Sequence, residues 1–398
     1  MPNLLNYQPQ LDHEPIIVKA YRTPIVRAFS SFSQLDVIDL LVPLLQKITE
    51  NIPLNSIDEV MIGNATSCSG NIARLGLLSA GLPIEIAGTT LDKQCGSGLE
   101  TVVQACRNIQ AGAGQCYIAG GVESVSTAPW RMQRPTSPNQ LPKMMPRARF
   151  SPEFLGDPDM GIAAENVAKK CQISRERQDK FALQSHQRAI SSIEQGRFKD
   201  EIVPIQTTQK MVDTDECPRA TTSLEKLASL SPAFLENGTV TAGNACPIND
   251  GAAVVLIMSR AFAKQCGFKT GLRFLDSATA GVDPNYLGLG PIASTQKLLK
   301  RQPNFSLDLA NFIEFNEAFA SQVLACLDNL NIDEKRVNLN GGALALGHPY
   351  GASGTILTTR LFSQMVTQNL SQKHSYGLAM LGIAGGLGTT VLFDNAIL

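Results

Sequence analysis

Two widely separated stretches of this chain repeat one pattern, and that repeat constrains the fold more than any other feature. In the first half an apolar run leads to Cys95-Gly96-Ser97-Gly98, a helical segment follows, and residues 116–123 come next with paired glycines. In the second half residues 337–339 lead to His348-Pro349-Tyr350-Gly351-Ala352-Ser353-Gly354. A helix follows there too, and then residues 377–393, which carry Gly385 and Gly386. Two copies of strand, sharp glycine turn, helix and strand predict a duplicated core whose two turns face each other.

Around these units the pattern is that of an α/β protein. Residues 59–62, 116–119, 252–258, 312–315 and 378–383 are short apolar or β-branched runs bounded by turn residues, and read as strands. Residues 35–48, 99–111 and 321–330 have helical spacing. Their alternation predicts layered sheets and helices. Residues 126–251 read differently. The stretch 136–149 is rich in proline and basic residues without periodicity, as in a long surface loop. Residues 160–168 and 175–195 read as helices, with Ser174 as an N-cap and Phe181, Ala182, Ser185 and Ala189 on one stripe. The expected organisation is a first half (1–125 with 252–280), an inserted loop domain (126–251) and a second half (281–398).

With 398 residues the chain is long enough to bury about 75% of its unfolded surface, so it needs neither disulfides nor a metal to fold. A formal net charge of −1 excludes a general nucleic-acid or membrane-surface binder, so local groups must hold any anionic ligand. The start of the chain is polar and reads as carrying no signal peptide, and no apolar stretch is long enough for a spanning helix. The nine cysteines are scattered singly, with no CxxC pair and no Cys/His cluster. That spacing predicts no disulfide framework, no metal site and a reducing, cytoplasmic setting.

Three places carry chemistry. Cys95 stands ahead of a helix, where backbone N–H groups and the helix dipole favour a thiolate, although an inert buried cysteine at a glycine turn fits the same residues. His348 is one of four histidines and lies in a run of small residues, where it can be a structural histidine or the base that a thiol nucleophile needs. Asn316 and Glu317 stand where an apolar strand turns into a helix, so Asn316 reads either as a helix cap or as a site residue. The tail Gly382-Ile383-Ala384-Gly385-Gly386-Leu387-Gly388 is a tight bend or a presenter of N–H groups to an oxyanion.

Taken together, these motifs resemble the thiolase family in order and spacing. The matching segments are Gln94-Cys95-Gly96-Ser97-Gly98, Gly120-Gly121-Val122-Glu123-Ser124 and Met160-Gly161 with Ala164-Glu165-Asn166-Val167. Residues 238–244 with Asn249-Asp250-Gly251-Ala252, Gly281-Val282-Asp283-Pro284, residues 316–320 and residues 341–354 match as well. The resemblance spans residues 16–393. It implies a thiolase-like duplicated core with α-β-α-β-α layers, and the making or cleavage of β-ketoacyl-CoA thioesters by a ping-pong route. It implies Cys95 as the acylated nucleophile, His348 as its base, and Asn316 holding a water of the oxyanion hole. The N–H groups of Cys95 and Ala384 would form a second hole. It places Arg219 along the adenine nucleotide of CoA, Met160, Phe234 and Phe319 along the pantetheine arm, and Ala242, Cys246 and Leu287 around the substrate. Cys246 stands where the family usually has serine, and Leu287 where it often has methionine. Acyl-CoA and CoA are the implied partners, with no separate cofactor and a homodimer or homotetramer as the assembly.

One departure bears on the chemistry. The family's C-terminal Cys-x-Gly-Gly-Gly motif supplies a second cysteine that shuttles the proton, and here that position is Gly382. Glycine has no ionisable atom, so a general acid/base factor of roughly 10²–10⁴ is lost unless a water, Tyr350 or Cys68 supplies it. Three readings follow: an acetyl-CoA acetyltransferase type of enzyme, an acyl-transfer or thioester-cleaving relative, and a non-catalytic acyl-CoA-binding protein.

Overall fold

The computed structural model describes residues 11–67, 70–369 and 374–398. Its main strands are β1 (Pro15–Arg22), β2 (Glu59–Gly63), β3 (Ala87–Leu91), β4 (Cys116–Glu123), β5 (Asn249–Ser259), β6 (Thr270–Gly281), β7 (Ala310–Phe315), β8 (Tyr376–Ile383) and β9 (Leu387–Ile397). They join in one sheet in the order β7-β8-β9-β6-β1-β5-β4-β2-β3.

Strand direction records the duplication. In the first half β3, β2 and β4 are parallel, and β5 and β1 then run antiparallel to their neighbours. In the second half β7 and β8 are parallel, and β9 and β6 follow antiparallel; residues 270–280, expected in the first half, belong here because β6 pairs along its length with β9. Within the sheet the halves join where Ile16 and Ile17 of β1 pair with Arg273 and Leu272 of β6. The counterpart of β3 is a single parallel bridge from Val337 to Ile313. Residues 337–339 are therefore not the strand their apolar character predicts. Asn338 adopts φ +50°, which carries the chain out of the ladder one residue after the bridge.

Helices complete the layers. The α1 helix (Val37–Thr49) and α2 (Ile72–Ser79) pack on the outer face of the first half, burying Leu40, Leu41, Leu44 and Leu77 against Ile118 and Val254. The opposite face of the same strands turns Tyr117, Ala119, Val255 and Ile257 inward, the period of two expected of a sheet covered on both sides. There they meet α3 (Ser97–Gln110) and α8 (Tyr350–Phe362), which lie between the halves. The outer face of the second half carries α6 (Gly290–Arg301) and α7 (Ala320–Leu330). This is an α-β-α-β-α arrangement, and the two central helices start from the two glycine turns.

The central helices approach closely because Gly98 and Gly354 have no side chains. A Cβ on Gly98 would stand 2.5 Å from the Gly351 carbonyl, and one on Gly354 would stand 2.4 Å from Leu99. Either would push the helices apart and separate the turns they begin from.

The chain leaves the first half after Glu123 and returns at Asn249, on the neighbouring strand. Between these points lie α4 (Met160–Lys170) and α5 (Arg175–Glu194). Ser174 caps α5, its Oγ accepting the Arg177 N–H at 3.3 Å. The proline-rich loop is exposed, but it is not wholly irregular. Lys143–Met145 pairs with Arg131–Gln133 as a small antiparallel hairpin, because backbone pairing does not require apolar periodicity. A buried ion cluster fastens the inserted segment to β1: Arg22 bonds Asp215 through both terminal nitrogens (2.7 and 2.9 Å) and Glu201 through Nε (2.7 Å). Among the described residues no helix is long and apolar enough to cross a membrane.

Candidate active site

Cys95 is presented by a strained turn between β3 and α3. Gln94 takes φ +51°, a region non-glycine residues rarely adopt. Short local bonds hold it there. The Gly96 N–H reaches the Lys93 carbonyl and the Ser97 N–H the Gln94 carbonyl, both at 3.0 Å. Ser97 Oγ accepts the Lys93 N–H at 2.8 Å and donates to the Gln94 carbonyl at 2.6 Å. Strain of this kind persists only where the surroundings over-determine it.

The Cys95 sulfur receives the backbone N–H groups of Ala384 and of Cys95 itself. The sequence reading expects such donors to favour a thiolate. Burial is the larger influence, Glu123 and Asp92 act in the same direction, and the thiol is pushed up to about 12. Cys95 therefore rests as a thiol and needs a base.

His348 is oriented to be one. Its backbone N–H bonds Asn249 Oδ1 at 2.9 Å, and its Nδ1 lies 2.6 Å from Ser353 Oγ. With its proton on the Pro349 carbonyl at 2.9 Å, the Ser353 hydroxyl oxygen is free to accept from the ring, the arrangement that suits the Asn316 amide facing Nε2. Nδ1 thus carries the proton and Nε2 keeps its lone pair. Nε2 faces Asn316 Nδ2 at 3.4 Å. Burial lowers the imidazole to about 4, so near pH 7 it is neutral and able to take a proton.

Asn316 is not a helix cap. The α7 helix begins at Ala320 with Phe319 at the cap position, and Asn316 stays in the turn before it, bonded through its own N–H to the Met380 carbonyl at 2.9 Å. The next residue explains the turn's rigidity. Glu317 is buried and accepts from Ser185 Oγ (2.7 Å), Asn338 Nδ2 (2.7 Å) and Leu344 N–H (3.1 Å), which ties the turn to the loop that leads to His348. Cys246 lies alongside, its N–H on the Ala318 carbonyl at 3.0 Å. Burial and the nearby Cys95 both raise its thiol.

Gly382 is the penultimate residue of β8. Its φ is not in the left-handed region, unlike Gly385 (φ +84°) and Gly386 (φ +83°) just beyond it. An added Cβ would lie 3.3 Å from Gln322 Nε2 and 3.6 Å from Pro291, so a small side chain fits if the Gln322 amide gives slightly. Of the groups considered as substitutes for the family's thiol, Tyr350 stacks edge-on to His348 (5.2 Å between centroids). Its phenol is raised by burial, then by Cys246 and Cys95, so near pH 7 it stays a neutral O–H that neither releases nor takes a proton readily. Cys68 lies outside the described residues.

The residues expected along CoA are spread over a wider surface. Phe234 and Phe319 meet edge to face at 6.1 Å, and Phe234 lies over Gly161, next to Met160 at the start of α4. Ala242 is exposed in the turn that precedes Cys246, and Leu287 is half-buried beside Gly288. Arg219 is exposed; its N–H bonds His186 Nδ1 at 3.2 Å, and its guanidinium forms no ion pair among the described residues. Sequence reasoning assigned no role to Ser353, Asn249, Glu317 or Glu123. The Glu123 carboxylate binds the N–H groups of Ala65 (3.1 Å), Thr66 (3.1 Å) and Gly351 (2.9 Å), which clamps the loop after β2 to the start of α8. Their places inside long motifs were the only signal available.

Residues 15–261 match the family described as "Thiolase, N-terminal domain", and residues 269–395 match "Thiolase, C-terminal domain". The chain is 45% identical to a Staphylococcus aureus protein named "Putative acetyl-CoA C-acetyltransferase VraB", over 96% of this chain and all of that one. The Staphylococcus epidermidis protein of the same name is 44% identical, over 96% of this chain and 98% of that one. Among solved structures, the Bacillus anthracis acetyl-CoA acetyltransferase superposes with a TM-score of 0.90 at 36% identity, covering 96% of this chain and 99% of that one. Human mitochondrial 3-ketoacyl-CoA thiolase, solved in complex with CoA, gives 0.89 at 32% identity, covering 97% and 99%.

Proposed function

The chain belongs to the thiolase family, and on that premise we propose that it works as an acetyl-CoA C-acetyltransferase through an acyl group carried on Cys95. Its acyltransferase character comes with the family. The residue assignments are our reading, and one observation carries them: Tyr350 connects the two turns, stacked edge-on to the neutral His348 ring and near enough to Cys95 for its phenol to be raised by that thiol.

In this reading His348 Nε2 takes the Cys95 proton as the sulfur attacks the thioester carbonyl. The N–H groups of Cys95 and Ala384 then receive the oxygen as it gains charge, and fixed donors of this kind stabilise the tetrahedral stage without reorganising. His348 and Asn316 face a common point and would hold the second carbonyl oxygen, directly or through a water. The CoA thioester would run past Met160, Phe234, Phe319, Ala242, Cys246 and Leu287, with Arg219 beside the nucleotide. No separate cofactor enters the scheme. A cytoplasmic setting is supported by the cysteines, all of which are free among the described residues.

Incubation with acetyl-CoA followed by intact-mass measurement should show one added acetyl group, lost in Cys95→Ala. An adduct of equal strength on Cys95→Ala would move the chemistry to another cysteine.

A second reading, an acyl-transfer or thioester-cleaving enzyme, is favoured by Gly382 alone. It predicts acylation of Cys95 with little carbon–carbon chemistry.

For assembly we propose a C₂ dimer, either alone or paired with a second into a tetramer. The sequence reading looked to residues 116–122 for the open edge, but that strand is β4, which already has β2 and β5 on its two sides. The unpaired edge is β3, and edges of this kind call for a neighbour. A monomer by light scattering at micromolar concentration would count against the dimer.

A further inference from the structure

Gln322 stands in the first turn of α7 and is 3% exposed. Both atoms of its amide, Nε2 and Oε1, are buried with no hydrogen-bond partner among the described residues. Buried polar groups left unpaired are destabilising, so native chains rarely keep them without a ligand or water to supply the bonds. The amide points at the place where Gly382 has no side chain, its Nε2 3.3 Å from the missing Cβ. The Gly288 carbonyl lies 3.7 Å from the same point and retains a lone pair beyond the one that accepts Cys326 Sγ–H. Gly382 keeps part of its surface open, whereas Leu381 and Ile383 on either side are buried. The locus therefore has a donor, two acceptors and an opening, which is what a bound water requires. Two residues further along the chain, the Ala384 N–H holds the Cys95 sulfur.

We infer that Gln322 is a positioning residue that seats a water in the space left by Gly382, and that this water hydrolyses the acyl group on Cys95. The inference rests on the acyl-enzyme reading above. The water oxygen bonds to the acyl carbonyl carbon, and one of its protons passes to His348 Nε2. The carbon–sulfur bond then breaks, Cys95 leaves as thiolate and regains that proton, and the acyl group departs as a carboxylic acid. An amide is too weak a base to take the proton itself, so Gln322 acts only by holding the water.

The test compares two rates in the full chain with acetyl-CoA as the probe: single-turnover acetylation of Cys95, and release of acetate from acetyl-Cys95 when free CoA is removed. Gln322→Met keeps the side-chain length and removes both polar atoms. It should slow acetate release about tenfold while acetylation stays within about twofold. Gly382→Ala approaches the same water without altering Gln322, and should slow acetate release by a similar factor. In the double variant the two losses should not multiply, because each removes the same water. Losses that multiply, or acetate release at the native rate in either single variant, would overturn the water site while leaving the Cys95 assignment intact. A native chain that takes no acetyl group on Cys95 would overturn both.

Discussion

The two sides of the pocket are built to different standards. On the side of Cys95 and His348 the polar groups are tied down: Ser97 braces the nucleophile turn, Ser353 meets the imidazole, Asn249 holds the His348 backbone, and Glu317 gathers three donors behind Asn316. On the side of Gly382 there is no side chain, and the nearest polar group, the Gln322 amide, has no partner among the described residues. Preorganised polar groups lower a barrier because they are already oriented when charge develops. On the proposed reading, the contrast teaches that the fold supplies fixed groups for acylation of Cys95, whereas the proton transfer of the second half-reaction has none of its own.

The largest expected effect breaks the well-built side. Removing the base with His348→Ala should slow acetylation of Cys95 by about 10²–10⁴-fold in a single-turnover measurement, since the thiol would lose its proton acceptor. Native-rate acetylation in this variant would assign the base elsewhere.

Next in size is a change that evens out the two sides. Gly382→Cys should raise acetoacetyl-CoA thiolysis by about 10²-fold relative to single-turnover acetylation. The backbone there has an ordinary φ and the nearest obstacle is the end of a flexible amide, so the side chain can be accommodated. If the native chain already turns over as fast as Gly382→Cys, another group performs the shuttle and the asymmetry is not functional.

A finer cut loosens the orientation of the ring without removing it. Ser353→Ala leaves Nδ1–H without its acceptor and frees the imidazole to turn, which should slow acetylation about tenfold. The fall should appear in the acylation rate and not in the affinity for acetyl-CoA, which a stopped-flow concentration series would separate.

The smallest effect lies in the pH profile. His348 is lowered to about 4 and Cys95 is pushed up to about 12. The active pair, neutral imidazole with neutral thiol, is lost below the first value, where the ring protonates, and above the second, where the thiol is already ionised. The rate of Cys95 acetylation should therefore be nearly flat from about pH 6 to 9, without the usual histidine limb near 6.5. A clear inflection near 6.5 would mean that the ring is solvated and the site more open than its burial indicates.

Much of this was legible in the chain. Local rules identified the helices of residues 160–170 and 175–194 and the Ser174 cap, because period and capping depend on neighbours in sequence. The duplication was visible as two glycine turns, and the family resemblance singled out Cys95, His348, Asn316 and Gly382 by position within long motifs. Three features ran the other way. Asn338 broke an apolar run out of the sheet, burial overrode the helix end at Cys95, and β4 proved to be an inner strand.

What the sequence determined by itself was therefore the alternation of elements, the doubled architecture and the candidates for the reacting atoms. These follow from side-chain chemistry and from contacts a few residues apart. Only the tertiary structure decided the protonation of those atoms and the state of their surroundings. The charge on Cys95 depends on Glu123 and Ala384, the tautomer of His348 on Ser353 and Asn316, and the unpaired amide at Gly382 on a helix far along the chain. Desolvation and hydrogen bonding are properties of the packed neighbourhood, and that neighbourhood exists only after two halves of the chain have closed around α3 and α8.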